Sequence, residues 1–277
     1  MKIGIIGLGL IGGSLAKAIK LHTKHTVYGS NRSEEVLKKA ELTEAIDGRL
    51  TDETLPDMDL VIVALYPHQI VKTIKEKAGL FKDGALVIDC GGVKRFIMEE
   101  LRDTVAGRPW HFIGGHPMAG REYSGFRYAK DDLFDGASMI LTPDDETPID
   151  LLSDAKAFFL AIGFGRVVFT TPEEHDEMIA YTSQMAHILS SVYIRSELAL
   201  KHKGFSAGSF LDMTRVARLN ETMWAELFLL NRDALVSELD GLINRVVLYR
   251  DALAAEDEEG LTRLLREGRE RKEFLDE

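Results

Sequence analysis

Four clusters of residues in this chain could do chemistry. The first is Gly7-x-Gly9-x-x-Gly12, with Leu10 and Ile11 inside it, directly after the apolar run Ile3, Ile5, Ile6. Glycines at this spacing permit a tight strand-to-helix turn, close approach of the backbone to a pyrophosphate, and close helix–strand packing. The helix N-terminus then offers its N–H groups to the phosphates. The second is Gly114-Gly115-His116-Pro117-Met118-Ala119-Gly120, where a histidine stands among glycines that let the backbone run close to a ligand. Histidine titrates near neutrality and can accept a hydroxyl proton as a hydride leaves. The third is Ser183 and His187, four residues apart and so on one face of a helix. The fourth is Arg215, set among helical apolar residues shortly before Met223-Trp224; such an arginine either snorkels or pairs with an anion.

The elements that must position these residues follow from hydrophobic pattern. After the opening strand and the helix over 14–19, strands are predicted over 25–29, 59–65, 85–89, 110–114, 138–141 and 165–169. Helices are predicted over 69–77 and 149–162, and His116 falls in the loop after the fifth strand. Strands alternating with helices make a doubly wound α/β sheet of the Rossmann kind, whose ligands sit at the carboxyl ends of the strands. Leu65 and Tyr66, at the end of the third strand, are thereby expected at the cofactor cleft. From Pro172 onward the pattern turns helical, over 173–201, 206–218 and 221–255, with a charged tail from 258. A dinucleotide-binding domain over 1–170 and an all-α domain over 171–277 are the expected organisation. The apolar face of the long helices exceeds what one helical half can bury, which predicts a homodimer.

The second strand carries the first specificity signal. Where an acidic residue would accept from the ribose 2′-hydroxyl of NAD, this chain has Ser30-Asn31-Arg32-Ser33. A carboxylate repels a 2′-phosphate and a guanidinium binds it, so the loop favours NADP, with NAD as the alternative.

Composition excludes other classes. The 277 residues carry a formal net charge of −11, with 45% hydrophobic and 29% charged residues, ordinary for a soluble enzyme and opposed to nucleic acid or an anionic membrane as partner. The single cysteine, Cys90, fits a reducing cytoplasm. Met1-Lys2 leads straight into a strand, so no signal peptide is expected, and no spacing suggests a metal site.

The Gly115–Gly120 block, the opening glycine loop and Asp89-Cys90-Gly91-Gly92-Val93-Lys94 together resemble the prephenate/arogenate dehydrogenase family of tyrosine biosynthesis. The resemblance spans nearly the whole chain and implies a Rossmann domain followed by a helical dimerisation domain. It also implies oxidative decarboxylation of prephenate, with His116 as catalytic base and Ser183, His187, Arg215 and Trp224 as substrate-binding residues. One departure stands out: the family commonly has a serine where this chain has Gly92. Arogenate, whose side chain bears an ammonium, is the rival substrate. A 3-hydroxyacid or imine reductase of the same layout and a non-catalytic NADP(H)-binding sensor are the other readings.

Overall fold

The structure is a computed structural model describing residues 1–121 and 123–276. Its first compact unit runs from Met1 to Asn231 and its second from Arg232 to Glu277. Compactness thus divides the chain well after the change from α/β to helical pattern near residue 170.

The first unit opens with β1 (Lys2–Ile6), α1 (Leu10–His22), β2 (Thr26–Ser30), α2 (Glu34–Leu42) and β3 (Gly48–Arg49). It continues with β4 (Leu60–Val63), α3 (Pro67–Lys77), β5 (Leu86–Asp89), α4 (Arg95–Val105) and β6 (His111–Pro117). Next come β7 (Ser138–Thr142), α5 (Ile149–Ala161) and β8 (Arg166–Phe169), then α6 (Pro172–Ile179), α7 (Met185–Ile194), α8 (Gly208–Thr214) and α9 (Glu221–Leu230). The strands form one sheet in the order β3-β2-β1-β4-β5-β6-β7-β8. All neighbours are parallel except β6 and β7, which run antiparallel.

Alternation along the strands builds a core on each face of this sheet. Ile3, Ile5, Leu60, Ile62, Leu86 and Ile88 pack on one side with Leu15 and Ile19 of α1 and Phe158 and Phe159 of α5. Ile6, Val61, Val63 and Val87 pack on the other with Ile70 and Ile74 of α3 and Ile97 and Leu101 of α4. A strand buried on both faces reads as a continuous apolar run, which is why these strands are conspicuous in the sequence.

Several expectations change in detail. The first helix begins at Leu10, directly after Gly9 and inside the glycine motif, and not at residue 14. A short eighth strand, β3, has only two residues and no apolar pattern to reveal it. The fifth predicted strand extends through Pro117, so His116 lies on a strand paired with Ile140 of β7 and not in a loop. The helix expected over 173–201 is interrupted by a π-helical turn at Ala180–Gln184 and gives way to a 3-10 turn at Glu197–Lys201. That expected over 221–255 breaks at Asn231. Thr171 starts α6 as its N-cap, accepting from the Glu174 N–H at 3.2 Å, with Pro172 next.

The second unit is two helices, α10 (Arg232–Ala254) and α11 (Glu258–Asp276). Asp257 accepts from the Gly260 N–H at 2.9 Å at the start of α11. Among the described residues, no helix is long and apolar enough to cross a membrane.

The start of α1 packs closely against the glycine loop. A Cβ on Gly12 would lie 2.0 Å from the Gly7 carbonyl oxygen and 3.1 Å from the Ala64 Cβ. Gly12→Ala is therefore expected to push α1 off the sheet and to destabilise the protein by about 1–3 kcal/mol, read as a lower denaturant midpoint.

Candidate active site

The sequence-predicted residues fall into three groups, at the glycine loop, at the end of β6, and along α7 and α9.

At the glycine loop, Gly7 adopts φ +96°, and a Cβ there would meet the Ala64 carbonyl at 2.5 Å and Leu65 Cδ2 at 2.7 Å. Gly9 faces open space within 4 Å and stands at the N-cap of α1, where no side chain caps the helix. A backbone that is closed at Gly7 and Gly12 and open at Gly9 fits a pyrophosphate at the helix N-terminus. Ser30 and Asn31 have a positioning role here. The Ser30 carbonyl accepts from the Gly7 N–H at 2.9 Å, and Asn31 Oδ1 accepts from the Leu8 N–H at 3.3 Å. Arg32 is exposed at the far end of the same loop, and Tyr66 is exposed beside Pro67 at the start of α3.

At the end of β6 the structure supplies partners that the sequence does not suggest. Asp89 and Lys94, both fully buried, are paired with each other. Asp89 also accepts from the Gly91 N–H at 2.7 Å and the Gly115 N–H at 3.1 Å, while Lys94 Nζ donates to the Gly115 carbonyl at 2.6 Å. Both polar groups of Gly115 are thus held, and with them the backbone leading into His116.

His116 Nδ1 lies 2.9 Å from His175 Nε2, and His175 Nδ1 lies 2.7 Å from Asp176 Oδ1. The Asp176 carboxylate receives the Lys94 N–H at 2.7 Å and the Arg95 N–H at 3.0 Å, at the N-terminus of α4, and the Arg95 Nε at 3.4 Å. Burial pushes its pKa up, but the His175 hydrogen bond and these backbone donors outweigh burial and hold it below the usual carboxylate range. An ionised Asp176 only accepts, so His175 donates from Nδ1 and, when neutral, accepts at Nε2. His116 must then donate from Nδ1, which leaves its Nε2 as an unprotonated base. Burial, the neighbouring His175 and the Lys94 charge push the pKa of His116 well below the ordinary histidine value. Burial also lowers His175, although Asp176 opposes it.

The base points towards Gly92. A Cβ at position 92 would lie 4.0 Å from His116 Nε2 but only 3.1 Å from Leu227 Cδ2. A leucine methyl of α9 therefore borders the space that a side chain at position 92 would enter. Cys90 takes no part, because burial pushes its thiol far up.

Along α7 and α9, His187 stacks on Trp224 with ring centroids 3.9 Å apart. The π-helical turn places the Ser183 carbonyl 2.8 Å from His187 Nδ1, which fixes that nitrogen as a donor and leaves Nε2 of the neutral ring as an acceptor. Burial lowers the pKa of His187 against the Ser183 carbonyl, and the charge of Arg215 lowers it further. Ser183, His187, Arg215 and Trp224 are thereby brought together. Leu227, one turn from Trp224 on α9, is the residue that lies beside Gly92. Asn231 closes the arrangement, donating to the Asp176 carbonyl at 2.8 Å and to Gln184 Oε1 at 2.9 Å while accepting from Arg95 at 3.0 Å.

A family model described as the nucleotide-binding domain of prephenate dehydrogenase matches residues 15–169, and one described as its dimerization domain matches residues 171–267. The chain belongs to the prephenate dehydrogenase family. It is 30% identical to a prephenate dehydrogenase of Lactococcus lactis subsp. cremoris, over 99% of this chain and 77% of that protein. It superimposes with a TM-score of 0.87 on prephenate dehydrogenase from A. aeolicus in complex with hydroxyphenyl propionate and NAD+, at 27% identity over 99% of this chain and 98% of that one. A Synechocystis arogenate dehydrogenase matches with a TM-score of 0.83 and 26% identity, over 99% of this chain and all of that one (100%).

For this member of the family, three expectations follow. Asp176→Asn keeps the shape but not the charge that orients His175, so kcat should fall by about 100-fold or more while dinucleotide affinity holds. Because His116 must be unprotonated, kcat/KM should lose activity on acidification only below pH 6.5, the ordinary histidine value. Stability should fall in the same window: His116, His175 and His187 all bind protons more readily unfolded than folded, so acid favours unfolding. A pH–rate profile and thermal melts over the same pH range check both.

Proposed function

We propose that the chain catalyses oxidative decarboxylation of prephenate to 4-hydroxyphenylpyruvate, in tyrosine biosynthesis. The observation that carries this reading is the Asp176–His175–His116 relay, which leaves Nε2 of His116 as a base on strand β6. A nicotinamide cofactor, held by the Gly7–Gly12 loop and the N-terminus of α1, supplies the hydride acceptor. His116 takes the proton of the substrate C4 hydroxyl as the hydride leaves C4. Loss of the ring carboxylate as CO₂ then leaves an aromatic ring, so the protein's work is alignment and proton removal. Ser183, His187 and Arg215 bind the carboxylates, with Trp224 as the wall behind His187. A neutral His187 presents a lone pair at Nε2, so binding a carboxylate there is coupled to protonation of that nitrogen, which then donates to the carboxylate. Arogenate is the second substrate to test, supported by the likeness to the Synechocystis enzyme.

The cofactor in this reading is NADP, with NAD as the alternative. Its support is Arg32, exposed where NAD-binding loops carry a carboxylate. Residues 1–170 act as the dinucleotide-binding domain and 171–277 as the substrate and dimerisation domain of a homodimer. Exposed apolar residues support the dimer in each unit: Val192, Leu198, Phe205 and Leu211 in the first, and Val236, Ile243, Val246 and Leu253 in the second. The one cysteine supports a cytoplasmic setting.

Initial rates with prephenate and arogenate, each with NAD and NADP, test substrate and cofactor together. His116→Asn should retain dinucleotide binding and lose about 10²–10⁴-fold in kcat. Near-normal turnover in that variant would remove His116 from the mechanism.

A further inference from the structure

The cluster at the outer end of β2 is not needed by the reaction, yet it is tightly organised. Strand β3 is two residues long and pairs Gly48 with Tyr28 and Arg49 with Gly29, just before the Ser30-Asn31-Arg32 loop. That pairing lays Arg49 along α2. Its NH1 and NH2 donate to the two carboxylate oxygens of Glu34 at 3.0 and 2.9 Å. Its Nε and NH2 donate to those of Glu41 at 2.7 and 3.0 Å. One guanidinium thus grips two carboxylates two helical turns apart, each through both oxygens. Lys38 Nζ adds a contact to Glu34 at 4.0 Å, and Glu35 is engaged separately by Lys39 at 2.6 Å.

Glu34 matters because of where it stands. It is the first residue of α2, two residues after Arg32, at the strand end where a dinucleotide fold meets the adenosine ribose. An unengaged carboxylate here could turn to accept from a 2′-hydroxyl and would repel a 2′-phosphate. Engaged by Arg49 along the helix, it leaves Arg32, exposed two residues earlier, as the charged side chain of the loop itself.

We propose that Arg49 is a specificity-determining positioning residue: by clamping Glu34 and Glu41 along α2, it keeps carboxylate charge off the 2′ position and so permits NADP. The inference rests on the reading of Arg32 as the 2′-phosphate ligand. Arg49 touches no cofactor atom; it acts through Glu34. Because the clamp is partly exposed, with the Arg49 side chain 38% and the Glu34 side chain 56% accessible, its effect is modest and salt-sensitive.

Equilibrium binding of NADP+ and of NAD+, followed by quenching of intrinsic fluorescence at low ionic strength, separates the two ideas. Arg49→Gln should weaken NADP+ by about 5-fold and leave NAD+ within about 2-fold, the scale of one exposed ion pair. Adding Glu34→Gln to that variant should restore NADP+ affinity, and high salt should erase the difference. Glu34→Gln alone, which leaves Arg49 in place, should hold NADP+ at least as well as the parent. Equal weakening of both cofactors by Arg49→Gln, or no recovery in the double variant, would overturn the clamp and leave Arg49 a structural residue. Arg32→Gln tests the underlying reading: it should cost NADP+ far more than NAD+. An unchanged ratio in that variant would sink the 2′-phosphate assignment, and the clamp's purpose with it.

Discussion

The carboxylate of Asp176 is the group on which the rest of the site depends. It is fully buried, and a buried charge is tolerable only when hydrogen bonds replace the water it has lost. Three elements meet that need. The N-terminus of α4 contributes two backbone N–H groups, Arg95 contributes its side chain, and His175 contributes an imidazole. Satisfying one charge therefore ties α6 to the N-terminus of α4 and fixes a tautomer two residues along a chain of histidines. The same bonds that stabilise the fold decide which nitrogen of His116 is the base.

A second buried pair acts on the backbone next to that base. Asp89 and Lys94, paired with each other, hold the N–H and the carbonyl of Gly115, which fixes the backbone beside His116. The positive charge of Lys94 also helps keep His116 unprotonated. Position and basicity are set together, as a proton acceptor working near neutrality requires. The glycine loop follows similar logic: the Ser30 carbonyl and the Asn31 side chain hold its first N–H groups, leaving the N-terminus of α1 for phosphate.

Much of this was legible in one dimension. Strands buried on both faces announce themselves as apolar runs, and the glycine spacing, Pro172 and the helical periodicity beyond it are local signals. His116, Ser183, His187, Arg215 and Trp224 were found through motif and resemblance, and the structure brings the last four together on neighbouring helices. Other features left no local trace. His175 is 59 residues from its partner His116 and adjacent to Asp176, a spacing that suggests no shared function. The π-helical turn looks like ordinary helix in composition. Leu227 reads as one more apolar residue of α9, although it borders the space beside Gly92.

The sequence by itself determined the dinucleotide loop, the α/β-to-helical change and the identity of the groups able to do chemistry, because each depends on residues close together in the chain. Only the tertiary structure decided that His116 lies on a strand, which of its nitrogens is the base, and that Arg49 engages the carboxylates beside Arg32. Those outcomes depend on strand register and on hydrogen bonds between residues far apart in sequence. A buried polar group takes whatever partner the folded chain brings within reach, and that choice is made in three dimensions.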